Sequence, residues 1–210
     1  MKTAYGKINA AAGLAVILAA AGWLYLHYEA IQTAAIDRTK KSTADYIQQH
    51  ASMLVKTEDF VDQEASRRQQ TFQRFFDAVQ SPDLVRMKVW DRNFTVIWSD
   101  LDGLVGQRFP GNHEVKEALR GEIEFEMGKP KDEHVSERSF TELSEIYVPF
   151  ANAKGEIVGV FEVYRPVISL NEEIASKFLK SLAAVLVFAA LALAGVAYST
   201  RFLLKRKNEA

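Results

Sequence analysis

Residues 8–26 and 181–198 of this 210-residue chain contain no acidic side chain and are almost wholly apolar. Each is about the length a helix needs to cross a hydrocarbon layer of about 30 Å. A single globular core has no place for two such segments, and they divide the rest of the chain into what lies between them and what flanks them. Aromatic residues stand near their ends, Trp23, Tyr25 and Tyr28 by the first and Phe178, Tyr198 and Phe202 by the second, where membrane–water interfaces favour amphipathic rings. Two transmembrane helices are therefore expected. A cleaved signal peptide is the alternative for the first, since Ala19, Ala20 and Ala21 are small. The apolar run continues past them through Trp23, Leu24 and Leu26, however, beyond the usual apolar stretch of a signal peptide.

The flanking cations orient the pair. Lys2 and Lys7 precede the first segment, and Arg201, Lys205, Arg206 and Lys207 follow the second. The positive-inside rule then puts both termini in the cytoplasm and residues 28–177 outside, periplasmic or extracellular. Taking the seven cations outside that stretch from 26 Lys/Arg, and Glu209 from 27 Asp/Glu, leaves it a net charge of −7. An acidic domain argues against nucleic acid as a partner. Cysteine is absent, which excludes disulfides, thiolate metal sites and attached c-type haem and suits a bacterial inner-membrane protein with a periplasmic domain.

Between the membrane segments the hydrophobic period changes once. Up to Gln80 it is helical: Ile31, Ala35, Ile36, Tyr46 and Ile47, then Phe60, Phe72, Phe75, Phe76 and Val79. A break is expected near Lys56, with Thr57 as N-cap of a helix continuing to Gln80, because Glu58 and Asp59 fall in its first turn. From residue 84 the period is two. Strands are predicted at 84–90, 94–99, 123–127, 145–150 and 156–165. The stretch 100–112, with three glycines and a proline, is expected as a loop. Residues 113–120 are expected as a short helix closed by Gly121 at its C-terminus. The charged stretch 129–137 is expected as a loop. Pro166 is expected to stop the last strand, with a helix from 167 leading unbroken into the second membrane segment. The resulting division is 1–27 membrane helix, 28–80 stalk and long helices, 81–166 sheet domain, 167–200 linker and second membrane helix, and 201–210 basic tail.

Alternation sorts the strand residues into two faces. Val85, Met87, Val89, Ile146, Val148, Phe150, Ile157, Phe161 and Val163 form an apolar face, expected to pack on the helix carrying Phe72, Phe75, Phe76 and Val79. Arg86, Lys88 and Trp90 point the other way, as do Glu145 with Tyr147 and Glu162 with Tyr164. Two cations beside phenols and an indole suit a small carboxylate or amino acid, the cations meeting the anion and the rings excluding water. Cross-strand Lys–Glu pairs on a solvated face explain the same pattern. Arg86, Lys88, Trp90, Tyr147, Glu162 and Tyr164 are the candidate ligand-binding residues, and Arg165 and Pro166 the candidate coupling residues. His113 beside Glu114, and His134 beside Glu133, lack metal-ligand spacing. Glu122, Glu124 and Glu126 read as a solvated acidic strand face. No nucleophile–base pair or paired-carboxylate motif points to catalysis, so no enzyme activity, cofactor or metal is expected. Gly13, Gly22 and Gly195 permit close helix contact in the membrane without requiring it.

KVWDRNFTVIWSD, GLVGQRFPGN, EALRGEI and EIYVPFANAKGEIVGVFEVYR, in this order between two membrane helices, resemble the extracytoplasmic PAS-like, single Cache domains of bacterial sensor histidine kinases. The resemblance covers about residues 28–180. It implies an α+β fold in which long N-terminal helices pack on a five-stranded antiparallel sheet, with a ligand pocket on the other face. The turn after the family's first strand usually carries glycine. Here Asn93 stands there, a residue that tolerates the left-handed conformation. Neither a phosphoacceptor helix nor a Gly-rich nucleotide loop follows the second membrane segment within this sequence. The implied role is thus a sensor that passes a conformational signal through its membrane helices to a partner or as a homodimer. A structural or assembly subunit of a membrane complex using the same fold is the alternative, and a remnant of a longer kinase a third.

Overall fold

The structure, a computed structural model, describes residues 2–61, 64–101, 103–127 and 143–208. The chain divides into two compact units, residues 1–35 with 172–210, and residues 36–171. The first holds the membrane-length helical segments. Helix α1 (Lys2–Leu54) contributes its N-terminal part and helix α5 (Val167–Asn208) its C-terminal part, and both are long and apolar enough to cross a membrane. The two segments are tied at both ends of the apolar stretch. His27 and Ser181 hydrogen-bond at 2.9 Å and Asn9 and Thr200 at 2.8 Å. His27 also stacks on Trp23, and Tyr28 meets Phe178 edge-on.

The second unit is the sheet domain. After α1 come α2 (Thr57–Val61), α3 (Ala65–Val79), β1 (Arg86–Asp91), β2 (Val96–Ser99), α4 (His113–Ala118), β3 (Glu124–Met127), β4 (Leu143–Ala151) and β5 (Ile157–Pro166). The five strands form one antiparallel sheet in the order β2-β1-β5-β4-β3. One face carries the main core, where Met87, Val89, Ile146, Val148, Phe161 and Val163 meet the helices. Phe60 is its centre, packed against Phe72, Phe150 and Phe161 at ring-centroid distances of 5.2–5.8 Å. Gly159 makes this possible. A Cβ there would lie 2.2 Å from the Phe60 ring and 2.6 Å from the Trp90 carbonyl oxygen.

Several local expectations are corrected. The helix from Lys56 to Gln80 is two helices, α2 and α3, and nothing in the sequence between them is a conventional breaker. Thr57 is the first residue of α2 rather than its cap. Asp59 does the capping by reaching back, its carboxylate accepting from Lys56 N–H at 2.8 Å, which satisfies a donor the helix start leaves open. The second strand begins at Val96 rather than Phe94, and the left-handed residue of the β1–β2 turn is Phe94 (φ 63°), not Asn93. The reason is Asp91, whose Oδ1 accepts from Asn93 N–H (2.8 Å) and Thr95 N–H (2.9 Å) and so fixes the turn around Phe94. A left-handed non-glycine residue costs about 1–2 kcal/mol, offset here by those two bonds and by packing of the Phe94 ring. Gly121 does close its helix. Its N–H bonds to Ala118 O and Glu122 N–H to Glu117 O, the paired bonds of a Schellman motif. The predicted loop at 129–137, with His134 and Glu133, lies outside the described residues.

Candidate functional site

The side chains placed opposite the core by alternation come together, and the sheet register arranges them in two rows. Lys88 stands opposite Glu162, Glu162 opposite Tyr147, and Tyr147 opposite Glu124. One pleat further on, Arg86 faces Tyr164, Tyr164 faces Glu145, and Glu145 faces Glu126. Each row thus begins with a cation on β1, includes one tyrosine and ends on β3 with a glutamate.

The face is not solvated. Lys88 and Glu162 are each 0 % exposed, and Arg86, Trp90, Tyr147 and Tyr164 are equally buried. The expectation of solvent-washed Lys–Glu pairs is corrected in this respect: the cross-strand pair exists, at 3.6 Å between Lys88 Nζ and Glu162 Oε1, but neither side chain is exposed. Part of the cover comes from the 103–112 loop and α4. The loop pairs along β2 through Val96 N–H to Gln107 O, Gly106 N–H to Val96 O and Phe109 N–H to Phe94 O. It thereby delivers Asn112, whose Oδ1 caps α4 by accepting from Val115 N–H at 2.8 Å. Val115, Ala118, Trp90 and Tyr147 then form a second apolar cluster over the sheet.

Inside this cover the polar atoms form a directed chain. Lys88 Nζ donates to Tyr164 OH at 2.5 Å, Tyr164 OH donates to Glu162 Oε1, and Trp90 Nε1 donates to Glu162 Oε2 at 2.6 Å. Both oxygens of the Glu162 carboxylate are engaged, so neither is buried without a hydrogen-bond partner. Tyr147 OH donates to Glu145 Oε2 at 2.7 Å. Burial pushes the Tyr147 phenol well above the usual value of about 10, and the Glu162 and Glu145 charges push it further. Arg86 places its guanidinium 5.6 Å from the Tyr164 ring centroid and its Nε 3.3 Å from Asp100 Oδ2. Asp100 Oδ1 accepts from Met87 N–H at 3.0 Å, tying the end of β2 to β1.

All six candidate ligand-binding residues therefore share one buried face. Sequence reading missed four carboxylate or amide neighbours. Glu124 and Glu126 are half-buried members of the rows rather than a solvated acidic face, whereas Glu122 is exposed. Asp100 and Asn112 sit in loops. The capping preference for asparagine immediately before a helix was the available signal for Asn112. The rows hold two cations and four carboxylates, so the described residues oppose a bare anion more than the cations alone suggest. His113 is exposed at the start of α4, 3.9 Å from Glu117, and no group of metal-ligating side chains occurs among the described residues.

The two candidate coupling residues end β5. Pro166 is its last residue and pairs with Leu143, and Val167 begins α5 with no residue between. Arg165 Nη1 donates to Thr43 Oγ1 of α1 at 2.8 Å and Nε to Asp83 O at 3.0 Å.

No protein-family model matches the chain, and no curated protein does. Among solved structures, the ligand-binding domain of the Campylobacter jejuni chemoreceptor Tlp3 with L-valine is similar at a TM-score of 0.48 and 10% identity, over 78% of this chain and 66% of that one. The sensory domain of Tlp3 with isoleucine gives 0.49, 10%, 78% and 66%. The Escherichia coli DcuS sensor domain gives 0.34 and 15%, over 64% of this chain and 98% of that one. The chain thus spans just under two thirds of the length of the Tlp3 domains.

Proposed function

We propose that this chain is a membrane-anchored sensor-like protein whose sheet domain lies outside the cytoplasm and binds a small ligand bearing an amino group, such as an amino acid, on the face opposite the core. The observation that carries this reading is the pair of buried rows. Ionisable side chains taken out of water cost several kcal/mol each unless paired, and such clusters mark functional sites more often than chance. The excess of carboxylates in the rows favours a ligand ammonium over a plain dicarboxylate. A ligand carboxylate competes with Asp100 for Arg86 and with Glu162 and Tyr164 for Lys88, and the Trp90 and Tyr147 rings wall the site. The transmitted signal in this reading is a shift of β5 carried into α5 at Pro166. Any ligand acts only through its differential affinity for two states of that junction.

The test is thermal unfolding of the full-length protein in mild detergent against amino acids and small carboxylates. A ligand at about 100 times its Kd adds about 2.7 kcal/mol, about 5–10 °C for a chain of this size. The shift should disappear in Glu162→Gln. No shift with any compound tested, or a shift that survives Glu162→Gln, refutes it.

A second reading, a structural or assembly subunit, is favoured by a different observation: Lys88, Tyr164, Glu162 and Trp90 already satisfy one another within the protein. It predicts a stoichiometric membrane-protein partner on purification in mild detergent and no ligand-dependent stabilisation. A lone homodimer stabilised by an amino acid decides for the sensor.

A further inference from the structure

A second recess, sharing no residue with the polar rows, opens where α1, the 81–84 turn and the end of β5 meet. Its volume is about 250 Å³, and it is lined by Ser42, Thr43, Tyr46, Ser81, Asp83 and Leu84 together with Arg165. The rim is fixed in advance. Ser81 and Leu84 exchange two backbone hydrogen bonds, 3.1 and 3.0 Å, and Pro82 between them locks its own φ. Arg165 is held from both sides by Thr43 Oγ1 and Asp83 O, and its Nη2 lies 3.9 Å from Asp83 Oδ2.

The chemistry of this lining is specific. Arg165 and Asp83 cancel in charge, so the recess attracts neither anions nor cations strongly. Of its four hydroxyls, Ser42 donates to Thr39 O and Tyr46 to Val79 O, so these two offer a ligand lone pairs, while Thr43, which accepts from Arg165, and Ser81 can donate to it. A carboxylate beside a guanidinium offers acceptors on one side and a fork of donors on the other, which matches neighbouring hydroxyl groups on a ligand. Buried Leu84 and the Tyr46 ring supply an apolar wall for carbon-bound hydrogens. The volume is somewhat below the roughly 300 Å³ at which drug-sized sites begin, so the occupant is small. We propose that this recess binds a neutral polyhydroxylated molecule of about monosaccharide size. Such a ligand competes with Thr43 for the Arg165 guanidinium, so its occupancy alters the hold of β5 on α1 one residue before the strand ends.

The test uses full-length protein in mild detergent and saturation-transfer NMR, with D-glucose and D-mannitol as probes and acetate and inorganic phosphate as controls. Wild type is expected to transfer saturation to at least one of the two polyols. Ser42→Trp, which fills the recess from an exposed helix position, and Asp83→Ala, on an exposed turn, should each weaken that binding at least tenfold. Acetate binding that survives both variants belongs elsewhere on the protein and leaves the polyol result standing. The proposal is overturned if neither polyol is saturated, if polyol binding persists in both variants, or if phosphate displaces the polyols at equal concentration. Because the recess shares no residue with the polar rows, an excess of amino acid should not displace the polyols from wild type, so failure here is separable from failure of the sensor reading.

Discussion

Lys88→Met keeps an unbranched side chain one atom shorter and removes an ammonium that stands 3.6 Å from Glu162 Oε1, with neither group exposed. Removing one partner of a buried ion pair costs about 3–5 kcal/mol, because the other charge is left uncompensated. Glu162 keeps two donors, Trp90 Nε1 and Tyr164 OH, so the expected loss lies at the lower end, about 3 kcal/mol. Glu162→Met should cost more, about 4 kcal/mol, since it strands the ammonium and leaves the indole N–H without its acceptor. The double replacement removes both charges and should lose only about 3–4 kcal/mol, mostly from stranded Trp90 and Tyr164 donors at about 1–3 kcal/mol each. A coupling of at least about 2 kcal/mol between the two sites follows. Urea unfolding of the full-length protein, followed by tryptophan fluorescence, reads it, since Trp90 and Trp98 are both buried in the sheet domain. The coupling should persist at high salt, because ions screen buried pairs weakly. Lys88→Met within about 0.5 kcal/mol of wild type, the range of an ordinary surface substitution, or a double replacement equal to the sum of the singles, refutes this account of the buried rows.

Other outcomes follow from single contacts. The Tyr147 phenol is held above its usual value of about 10 in the folded protein, so its share of stability is whole below pH 10 and is lost as pH rises beyond it. Denaturant titrations from pH 8 to 11.5 should show a shallower alkaline loss for Tyr147→Phe, and superimposable profiles count against the burial of that hydroxyl. Gly159→Ala drives a methyl into the Phe60 ring and the Trp90 carbonyl; the loss should reach or exceed the upper end of about 1–3 kcal/mol for overpacking. Adding Phe60→Leu should recover little, as the carbonyl cannot move aside, and full recovery would show that the ring alone matters. Asn112→Ala removes the α4 cap and should cost about 0.5–2 kcal/mol; unchanged hydrogen exchange at Val115 would contradict it.

The strands and the two faces of the sheet were legible because alternation displays them directly, and the two long apolar helices because their uncharged runs do. Alternation alone put Arg86, Lys88, Trp90, Tyr147, Glu162 and Tyr164 on one side of the sheet. Their burial was not legible. Charged side chains on one sheet face normally meet water, and the cover here depends on a loop pairing with β2 through backbone atoms, which side-chain chemistry does not announce. Asp100 was hidden for the same reason, since its bond to Met87 N–H crosses between strands. At the β1–β2 turn, residue preference pointed to Asn93. A side chain three residues before Phe94 decided otherwise, through Asp91 Oδ1. The separation of α2 from α3 has no glycine or proline to mark it. What the helix start does show is Asp59, two residues after Thr57, in the position from which a carboxylate reaches back.

Strand β5 gives way to helix α5 between Pro166 and Val167 without a single intervening residue. An α-helix advances about 100° in azimuth per residue, so the strand's last peptide sets the phase of the side chains that follow it. Lengthening the chain by one residue at this point would turn the downstream face by about 100°, while seven would return it to within about 20°. Loop residues ordinarily absorb such changes. Here none separates Pro166 from Val167, so the strand's last residue and the helix's first share one junction.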